Sequence, residues 1–167
     1  KGTSNRERKA RQLNASLNKY KDSSFSFALL ETMELFEISK NSSPIVVSVS
    51  GAPGTGKTTL AYELAGAFQQ VFGVNSAIVS LDDFYLPRAA REDLAKSIHP
   101  LAITRGPPGT HDAETFVDVI KKLRTNFSAR APIFNKALDD KVEETRLIKP
   151  ARIIICEGWF WGAIAEP

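Results

Sequence analysis

The sequence predicts an α/β protein in which helices flank a parallel β-sheet. Two observations lead to this prediction: short, almost entirely apolar segments alternate with helical patterns, and those short segments are rich in β-branched residues. With 167 residues, 43% of them hydrophobic and 25% charged, the chain has the size and composition of one globular domain. We therefore expect βαβ units around one core.

Helical patterns dominate the start of the chain. The polar stretch 5–21 and the stretch around Met33 both place apolar residues at helical spacing. These apolar residues are Leu13, Leu17, Tyr20, Leu29, Met33 and Phe36. Turn-forming residues at 41–44 end the second pattern. The predicted organisation is an N-terminal helical segment, residues 1–43, followed by the main domain, residues 44–167.

The first two predicted strands lie on either side of a glycine-rich turn and a helix. Residues 45–50 are nearly all apolar and β-branched, as expected of a buried parallel strand, and the turn follows at 51–56. In the helix after the turn, apolar residues recur at helical spacing, and Gly73 is placed to cap its end. The second strand, residues 77–81, ends at two consecutive acids.

The second half of the chain contributes one predicted helix and one predicted strand. Residues 86–111 are expected to be irregular, because proline, glycine and charged residues dominate them. Asp112 can cap a helix whose apolar stripe spans residues 116–123. After another irregular stretch, residues 153–156 predict a third buried strand that ends at Glu157. Three strands are fewer than such a sheet normally has, so we expect the chain to be incomplete at its carboxyl end.

Several classes of protein are disfavoured by the sequence. The single cysteine, Cys156, cannot form an internal disulfide, which favours a reducing compartment and a cytoplasmic location. No membrane association is expected, because no run of about eighteen apolar residues occurs. Because the chain begins at Lys1 and its only methionine is Met33, we expect the natural start to be missing, and organelle targeting stays open.

The chain is mildly basic, with a net charge of +3 and an isoelectric point of about 9.0. Part of the positive charge lies near the start, at Arg6, Arg8, Lys9 and Arg11. Such a cluster could be a nucleic-acid arm or a solvated helix face. No aromatic platform accompanies it, which favours the solvated face, so no nucleic-acid partner is expected. The sequence does not indicate an oligomeric state.

The glycine-rich turn matches the pattern G-x-x-x-x-G-K-[ST] at every position. Its residues are Gly51, Ala52, Pro53, Gly54, Thr55, Gly56, Lys57 and Thr58. Glycines let the backbone wrap around phosphates with its N–H groups inward, and the following helix points its positive end at them. Lys57 can reach the β- and γ-phosphates, and Thr58 can offer its hydroxyl to Mg²⁺. With a strand before it and a helix after it, this turn indicates a P-loop NTPase fold that binds ATP.

Acidic residues follow the other two predicted strands. Asp82 and Asp83 come after the second strand, and Glu157 comes at the end of the third. In open α/β sheets, ligands bind beyond the carboxyl ends of the strands. One acid could hold Mg²⁺ and another could accept the proton of an attacking hydroxyl. Asp82 and Asp83 could instead form a turn or a helix cap, but the P-loop and Glu157 at the same edge favour a catalytic role.

Two polar clusters lie in the segments expected to be irregular. The first brings Arg105, His111 and Asp112 together with turn-forming residues. Arg105 suits a carboxylate or phosphate, although an ordinary capped turn is an equal alternative. The second cluster spans residues 136–141, and there a plain surface role is equally open.

Five motifs occur in the order found in one family of kinases. They are S-G-A-P-G-T-G-K-T-T at 50–59, L-D-D-F-Y-L at 81–86, R-G-P-P-G-T-H-D at 105–112, F-N-K to D-D-K at 134–141, and E-G-W at 157–159. In this set the sequence resembles the P-loop small-molecule kinases related to uridine kinase, phosphoribulokinase and pantothenate kinase, and among them the D-glycerate 3-kinases. The third and fifth motifs are the most discriminating.

The resemblance implies roles for individual residues. The implied catalytic residues are Lys57, Asp82 as base and Glu157; the implied metal-binding residues are Thr58 and Glu157. ATP would contact the turn from Gly51 to Thr58 and also Thr59. The implied substrate-binding residues are Asp82, Tyr85, Arg105, His111, Asp112 and Lys136. One departure is Asn135, which stands where the family pattern leads us to expect aspartate.

The resemblance implies ATP- and Mg²⁺-dependent phosphorylation of a small hydroxy acid, D-glycerate, and a lid and further strands after Pro167. Two alternatives stay open. One is a related kinase acting on pantothenate, a nucleoside or a sugar. The other is a regulatory protein that binds a nucleotide without phosphorylating a metabolite; the N-K-x-D motif of Ras-type GTPases is absent from this sequence.

Overall fold

The fold is described from a computed structural model, which covers residues 8, 11, 15, 24–39 and 43–161. In chain order its elements are α1 (Ser24–Ile38), β1 (Ile45–Ser50), α2 (Lys57–Phe72), β2 (Ser76–Ser80), α3 (Arg88–Ser97), α4 (Ala113–Arg124), β3 (Ala129–Asn135), β4 (Asp140–Ile148) and β5 (Ile153–Gly158). The helix predicted at 5–21 lies outside the described residues, apart from Arg8, Arg11 and Ala15, which are helical.

The predicted α/β class is confirmed. Strands β1, β5 and β2 form a parallel sheet in that order. Ile153 at the start of β5 lies opposite Ile45 of β1 on one side and opposite Ser76 of β2 on the other. All six residues of β5 are buried, because this strand has a neighbour on each side and side chains on both faces. None of the described helices is long and apolar enough to span a bilayer.

Two clusters of apolar side chains cover the two faces of the parallel sheet. Ile153 and Ile155 of β5 pack with α1 and α2, whereas Ile154 and Cys156 face α4 and the pair β3–β4. This alternation follows from the pleat of a strand, which sends successive side chains to opposite faces. Gly73, with φ 66°, caps α2, and Asp112 caps α4 through its side chain, as the sequence predicted.

The expectation that 45–50 form a buried strand is wrong for most of β1. Only Val49 is buried, and Val46 is 39% exposed. The reason is topological: β1 pairs with β5 alone and lies at one edge of the sheet among the described residues. An apolar, β-branched run reports that a segment is a strand more reliably than it reports where in the sheet that strand lies.

Both stretches expected to be irregular contain regular structure. Residues 86–111 include α3 and a 3₁₀ turn, Pro100–Ile103. The stretch before β5 holds β3 and β4, which pair antiparallel as a separate two-stranded sheet. Their register shifts between Pro132 and Phe134, where proline cannot donate to the ladder. The turn of this hairpin lies over the carboxyl-end edge of the parallel sheet, where Lys136 reaches Asp82.

Candidate active site

The P-loop has the backbone shape that its sequence predicts. Gly54 and Gly56 have φ values of 79° and 84°, in the left-handed region that side chains rarely adopt. Gly56 then serves as the N-cap of α2, so the first N–H groups of the helix face the turn. Lys57 Nζ donates to the carbonyl of Ala52 at 2.8 Å, which folds the lysine back over the turn. The turn is therefore shaped to receive an anionic group.

An open cleft of about 570 Å³ adjoins the P-loop. It extends from Gly51, Lys57 and Thr59 towards Phe25 of α1 and Glu63 of α2. Thr58, in the first turn of α2, is exposed, as the sequence interpretation requires for a hydroxyl that binds a ligand.

Glu157 lies at the centre of the edge where the parallel strands end. In the register of the sheet it is opposite Val49, two residues before the P-loop, and opposite Ser80, two residues before Asp82. Glu157 is 4% exposed, and the Ser80 hydroxyl donates a hydrogen bond to its Oε1. Glu157 is therefore the last residue but one of β5 and does not lie beyond the strand. It is placed between the P-loop and the turn that carries Asp82.

Asp82 lies in the 3₁₀ turn Leu81–Phe84 that follows β2. Its carboxylate accepts hydrogen bonds from Lys136 Nζ at 2.8 Å and from the Tyr85 hydroxyl at 3.4 Å. Its neighbour Asp83 instead pairs with Arg146 of β4 at 3.1 Å. The two consecutive acids therefore point to different partners, and Asp82 is the one that faces the other predicted substrate-binding residues.

Tyr85 and His111 join the Asp82 turn to the R-G-P-P-G-T-H-D segment. Their rings stack with 4.2 Å between centroids, and their backbones form an isolated antiparallel bridge. Burial, together with the charge of Asp82, raises the pKa of Tyr85 to about 12, so the phenol keeps its proton. Burial lowers the pKa of His111 below its usual 6.5, and the charge of Asp82 offsets this only in part. Both rings are therefore neutral near pH 7.

Asp112 has two partners. One oxygen caps α4 by accepting from the backbone N–H of Thr115 at 3.1 Å, and the other accepts from Lys141 Nζ at 3.1 Å. Burial alone would raise the pKa of Asp112, but the bonds from Thr115 and Lys141 outweigh it and hold that pKa below its usual value. Asp112 can therefore cap α4 with one oxygen and still contact a substrate with the other, because the second oxygen faces the hairpin.

Arg105 is anchored through one nitrogen. Its Nη1 donates to Asp139 Oδ1 at 2.9 Å and to the carbonyl of Lys136 at 3.1 Å. The guanidinium carbon lies 5.9 Å from the centre of the Phe134 ring. Among the described residues, Nε and Nη2 of Arg105 make no hydrogen bond, and the side chain is 37% exposed. These two nitrogens form the fork that a carboxylate can bind with both oxygens.

The β3–β4 turn contributes more to this site than the sequence indicated. Lys136 was predicted, but Asp139 and Lys141 were assigned only to a polar cluster with an open surface role, and each pairs with a predicted substrate-binding residue. The signal was present in the F-N-K to D-D-K motif. Asn135 shapes this turn: its Oδ1 accepts from the N–H groups of Ala137 and Leu138, a task that aspartate could also perform.

The tryptophans of the last described segment differ. Trp161 packs on Phe116 in the core, with ring centroids 4.9 Å apart, whereas Trp159 is 36% exposed and lies beside Gly106. Within residues 24–39 and 43–161, no three His, Cys, Asp or Glu side chains cluster in a way that could hold a metal ion. Any metal at this edge would need further oxygen ligands from a bound phosphate or water.

A parallel sheet with a P-loop after its first strand, an acid beyond its second and another in its central strand defines a P-loop nucleotide-binding protein. Residues 46–165 match the sequence model of the phosphoribulokinase / uridine kinase family. The chain therefore belongs to this family, and the resemblance stated from its motifs is confirmed.

Individual relatives show how far the likeness extends. The chain is 30% identical over 132 residues to the chloroplastic D-glycerate 3-kinase of Arabidopsis thaliana, with 71% of this chain and 29% of that protein covered. It is 28% identical over 119 residues to the uridine kinase of Chlamydia pneumoniae, with 68% and 48% covered. The chain thus spans about half, or less, of the length of these curated relatives.

Solved structures agree with the fold. The D-glycerate 3-kinase from Cryptococcus neoformans aligns with a TM-score of 0.63 at 27% identity, covering 95% of this chain and 53% of that one. The phosphoribulokinase from Rhodobacter spheroides aligns with a TM-score of 0.51 at 14% identity, covering 75% of this chain and 46% of that one, which supports the fold alone.

Proposed function

We propose that the protein, expressed from its complete reading frame, transfers the γ-phosphoryl group of ATP to a hydroxyl of D-glycerate. The observation that carries the proposal is the grouping of an acid and a forked cation around one hairpin turn. Asp82 follows a strand of the P-loop sheet and pairs with Lys136, whose own carbonyl accepts a hydrogen bond from Arg105. A small hydroxy acid needs both kinds of partner: a cation for its carboxylate and an acidic side chain for its hydroxyls.

On the nucleotide side, the P-loop would hold the phosphates of ATP. The amides at the start of α2 would bind phosphate oxygens, and Lys57 would leave the Ala52 carbonyl to neutralise the charge that develops on transfer. Thr58 and Glu157 have the oxygen ligands that Mg²⁺ prefers, so they fit a metal that is completed by phosphate and water. When bound, the metal would supply positive charge that offsets the negative charge of the phosphates.

On the acceptor side, Arg105 would bind the carboxylate of glycerate through Nε and Nη2, while Asp112 would accept a hydrogen bond from the hydroxyl that does not react. Asp82 would orient the attacking hydroxyl and accept its proton. Before the transfer, Lys136 would pair with Asp82. Afterwards it would be a cation near the transferred phosphoryl group. Tyr85 and His111, stacked and neutral, would lie beside the acceptor, next to Asp82 and Asp112.

The relatives named uridine kinase support a second candidate, phosphorylation of a nucleoside at the same site. Asp82 and Asp112 would then contact ribose hydroxyls, but Arg105 would have no carboxylate to bind. The presence of a cation with a free fork is the reason we prefer an acidic acceptor.

An acceptor screen tests the proposal. ADP release would be followed with ATP and Mg²⁺ in the presence of D-glycerate, uridine, pantothenate or ribulose 5-phosphate. We expect the highest kcat/KM for D-glycerate. Turnover with uridine but not with glycerate would replace the first candidate by the second. ATP binding without turnover on any acceptor would instead support a regulatory nucleotide-binding protein.

A further inference from the structure

Arg91 is a fully buried arginine that lies outside all five motifs of the sequence. It belongs to α3 and has 0% exposed surface. All three of its guanidinium nitrogens donate hydrogen bonds: Nε to the carbonyl of Leu86 at 3.2 Å, Nη1 to that of Ile103 at 2.7 Å, and Nη2 to Asp139. A buried guanidinium costs stability unless it is fully paired. These four hydrogen bonds, all to carbonyl or carboxylate oxygens, hold the guanidinium in one position.

The partners of Arg91 belong to three separate pieces of the acceptor side. Leu86 follows Tyr85 directly, Ile103 lies two residues before Arg105, and Asp139 lies in the β3–β4 turn. In each piece Arg91 binds a backbone carbonyl, and its position therefore fixes the backbone rather than one mobile side chain. One residue of α3 thus ties together the segments that carry the predicted substrate-binding residues.

Asp139 connects this buried arginine with the exposed one. Its Oδ2 accepts from Arg91 Nη2 at 3.0 Å, and its Oδ1 accepts from Arg105 Nη1 at 2.9 Å. Burial alone would raise the pKa of Asp139, but its bonds and charge interactions with the two arginines outweigh it and keep that pKa below its usual value. The residue also has φ 53°, a left-handed conformation that aspartate and asparagine tolerate better than most side chains.

We propose that Arg91 and Asp139 are positioning residues for the acceptor: they hold Arg105 by its Nη1 so that Nε and Nη2 form a fixed fork for a carboxylate. The inference rests on the proposed function, because it assigns Arg105 to the acceptor. A carboxylate that binds a free arginine must first immobilise its long side chain. Here Asp139 has already done so, which should lower the acceptor KM by about tenfold.

A double-mutant cycle measures whether Asp139 acts through Arg105. Asp139→Asn keeps the turn conformation and removes the charge. We expect it to raise the acceptor KM by about tenfold with the KM for ATP unchanged, but to change the acceptor KM less than about twofold when Arg105→Ala is already present. Independent effects of the two changes, or equal increases in both KM values, would overturn the inference, because a merely structural role would produce them.

A matched pair of substitutions tests Arg91 itself. Arg91→Lys keeps a charge but loses the fork, and Arg130→Lys makes the same change at an exposed arginine of β3, whose Nη1 donates to the hydroxyl of Thr145 at 3.2 Å. We expect Arg91→Lys to raise the acceptor KM and Arg130→Lys to leave it unchanged. Equal behaviour of the two variants would contradict the role of Arg91.

Chemical labelling decides the same point without any turnover. Phenylglyoxal modifies accessible guanidinium groups, and peptide mapping gives the rate at each arginine. We expect Arg105 to react several times faster in Asp139→Asn than in the wild type, with Arg130 unchanged as the internal control. An unchanged rate at Arg105 would overturn the inference. If the wild type phosphorylates no acceptor, the proposed function fails, and the labelling still shows whether Asp139 restrains Arg105.

Discussion

The substitution Asp82→Asn separates catalysis from stability most clearly. Asparagine has the same shape as aspartate but cannot accept a proton at neutral pH. Loss of a positioned base lowers turnover by about 10²–10⁴-fold, or ~3–5 kcal/mol of activation free energy. The only ion pair lost among the described residues is that with Lys136, whose side chain is 62% exposed, and such a pair stabilises a protein by about 0.2–1 kcal/mol.

Stability and turnover should therefore respond very differently to this change. For a chain of this size, the lost ion pair would shift Tm by at most about 4 °C. The assay is acceptor-dependent ADP release at saturating ATP and Mg²⁺, with ATP binding and Tm measured on the same preparation. We expect kcat to fall by at least a hundredfold while the ATP affinity stays within about twofold.

The neighbouring residue provides the control for this experiment. Asp83→Asn makes the same chemical change one position away, where the carboxylate also forms one ion pair, with Arg146 at 3.1 Å. It should change Tm about as much as Asp82→Asn and kcat far less. A larger loss of kcat in Asp83→Asn, or full activity in Asp82→Asn, would refute the assignment of the base.

Three further predictions concern the nucleotide, the metal and pH. Lys57→Ala should lower kcat by about 10²–10³-fold in the ADP-release assay, because its ammonium stabilises charge in the transition state; retained activity would contradict the P-loop assignment. Glu157→Gln can still accept from Ser80, so Tm should change little, whereas a Mg²⁺ titration of activity should shift to higher concentration; an unchanged titration would argue against the metal role. Folding lowers the pKa of His111, so as the pH drops below 6.5 the unfolded chain binds a proton before the folded chain does, and Tm should fall. In His111→Gln, Tm should depend less steeply on pH in this range. Equal pH dependence of Tm in both proteins would exclude His111 as its cause.

The elements that the sequence predicted correctly are those with strong local signals. The strand, glycine-rich turn and helix around Lys57 are specified within thirty residues by apolar periodicity and by glycines that must adopt positive φ. Helix α3 has only one large apolar residue, Leu94, and the residue it buries is Arg91. Its periodicity was therefore hidden, because an arginine with internal partners takes the place of an apolar side chain.

The hairpin was missed for a related reason. Most residues of β4 are exposed, so the strand lacks the alternation of apolar and polar residues that marks a half-buried strand. Pro132 also hides β3 in the sequence, because proline within a segment argues against a strand. In the structure the register shifts at this proline. The pairs that these strands bring to the site join residues 54 and 29 positions apart, which no local pattern could show.

The separation of the molecule into two sheets suggests how its specificity can change over evolutionary time. The P-loop, Glu157 and the start of the Asp82 turn depend on the three parallel strands, whereas Lys136, Asp139 and Lys141 depend on an antiparallel hairpin that shares no hydrogen-bond ladder with them. On the proposed assignment of the site, a substitution or an insertion in the hairpin turn would alter the cations near the acceptor while the P-loop stays intact. The same fold could in this way acquire new acceptors by exchanging one short turn.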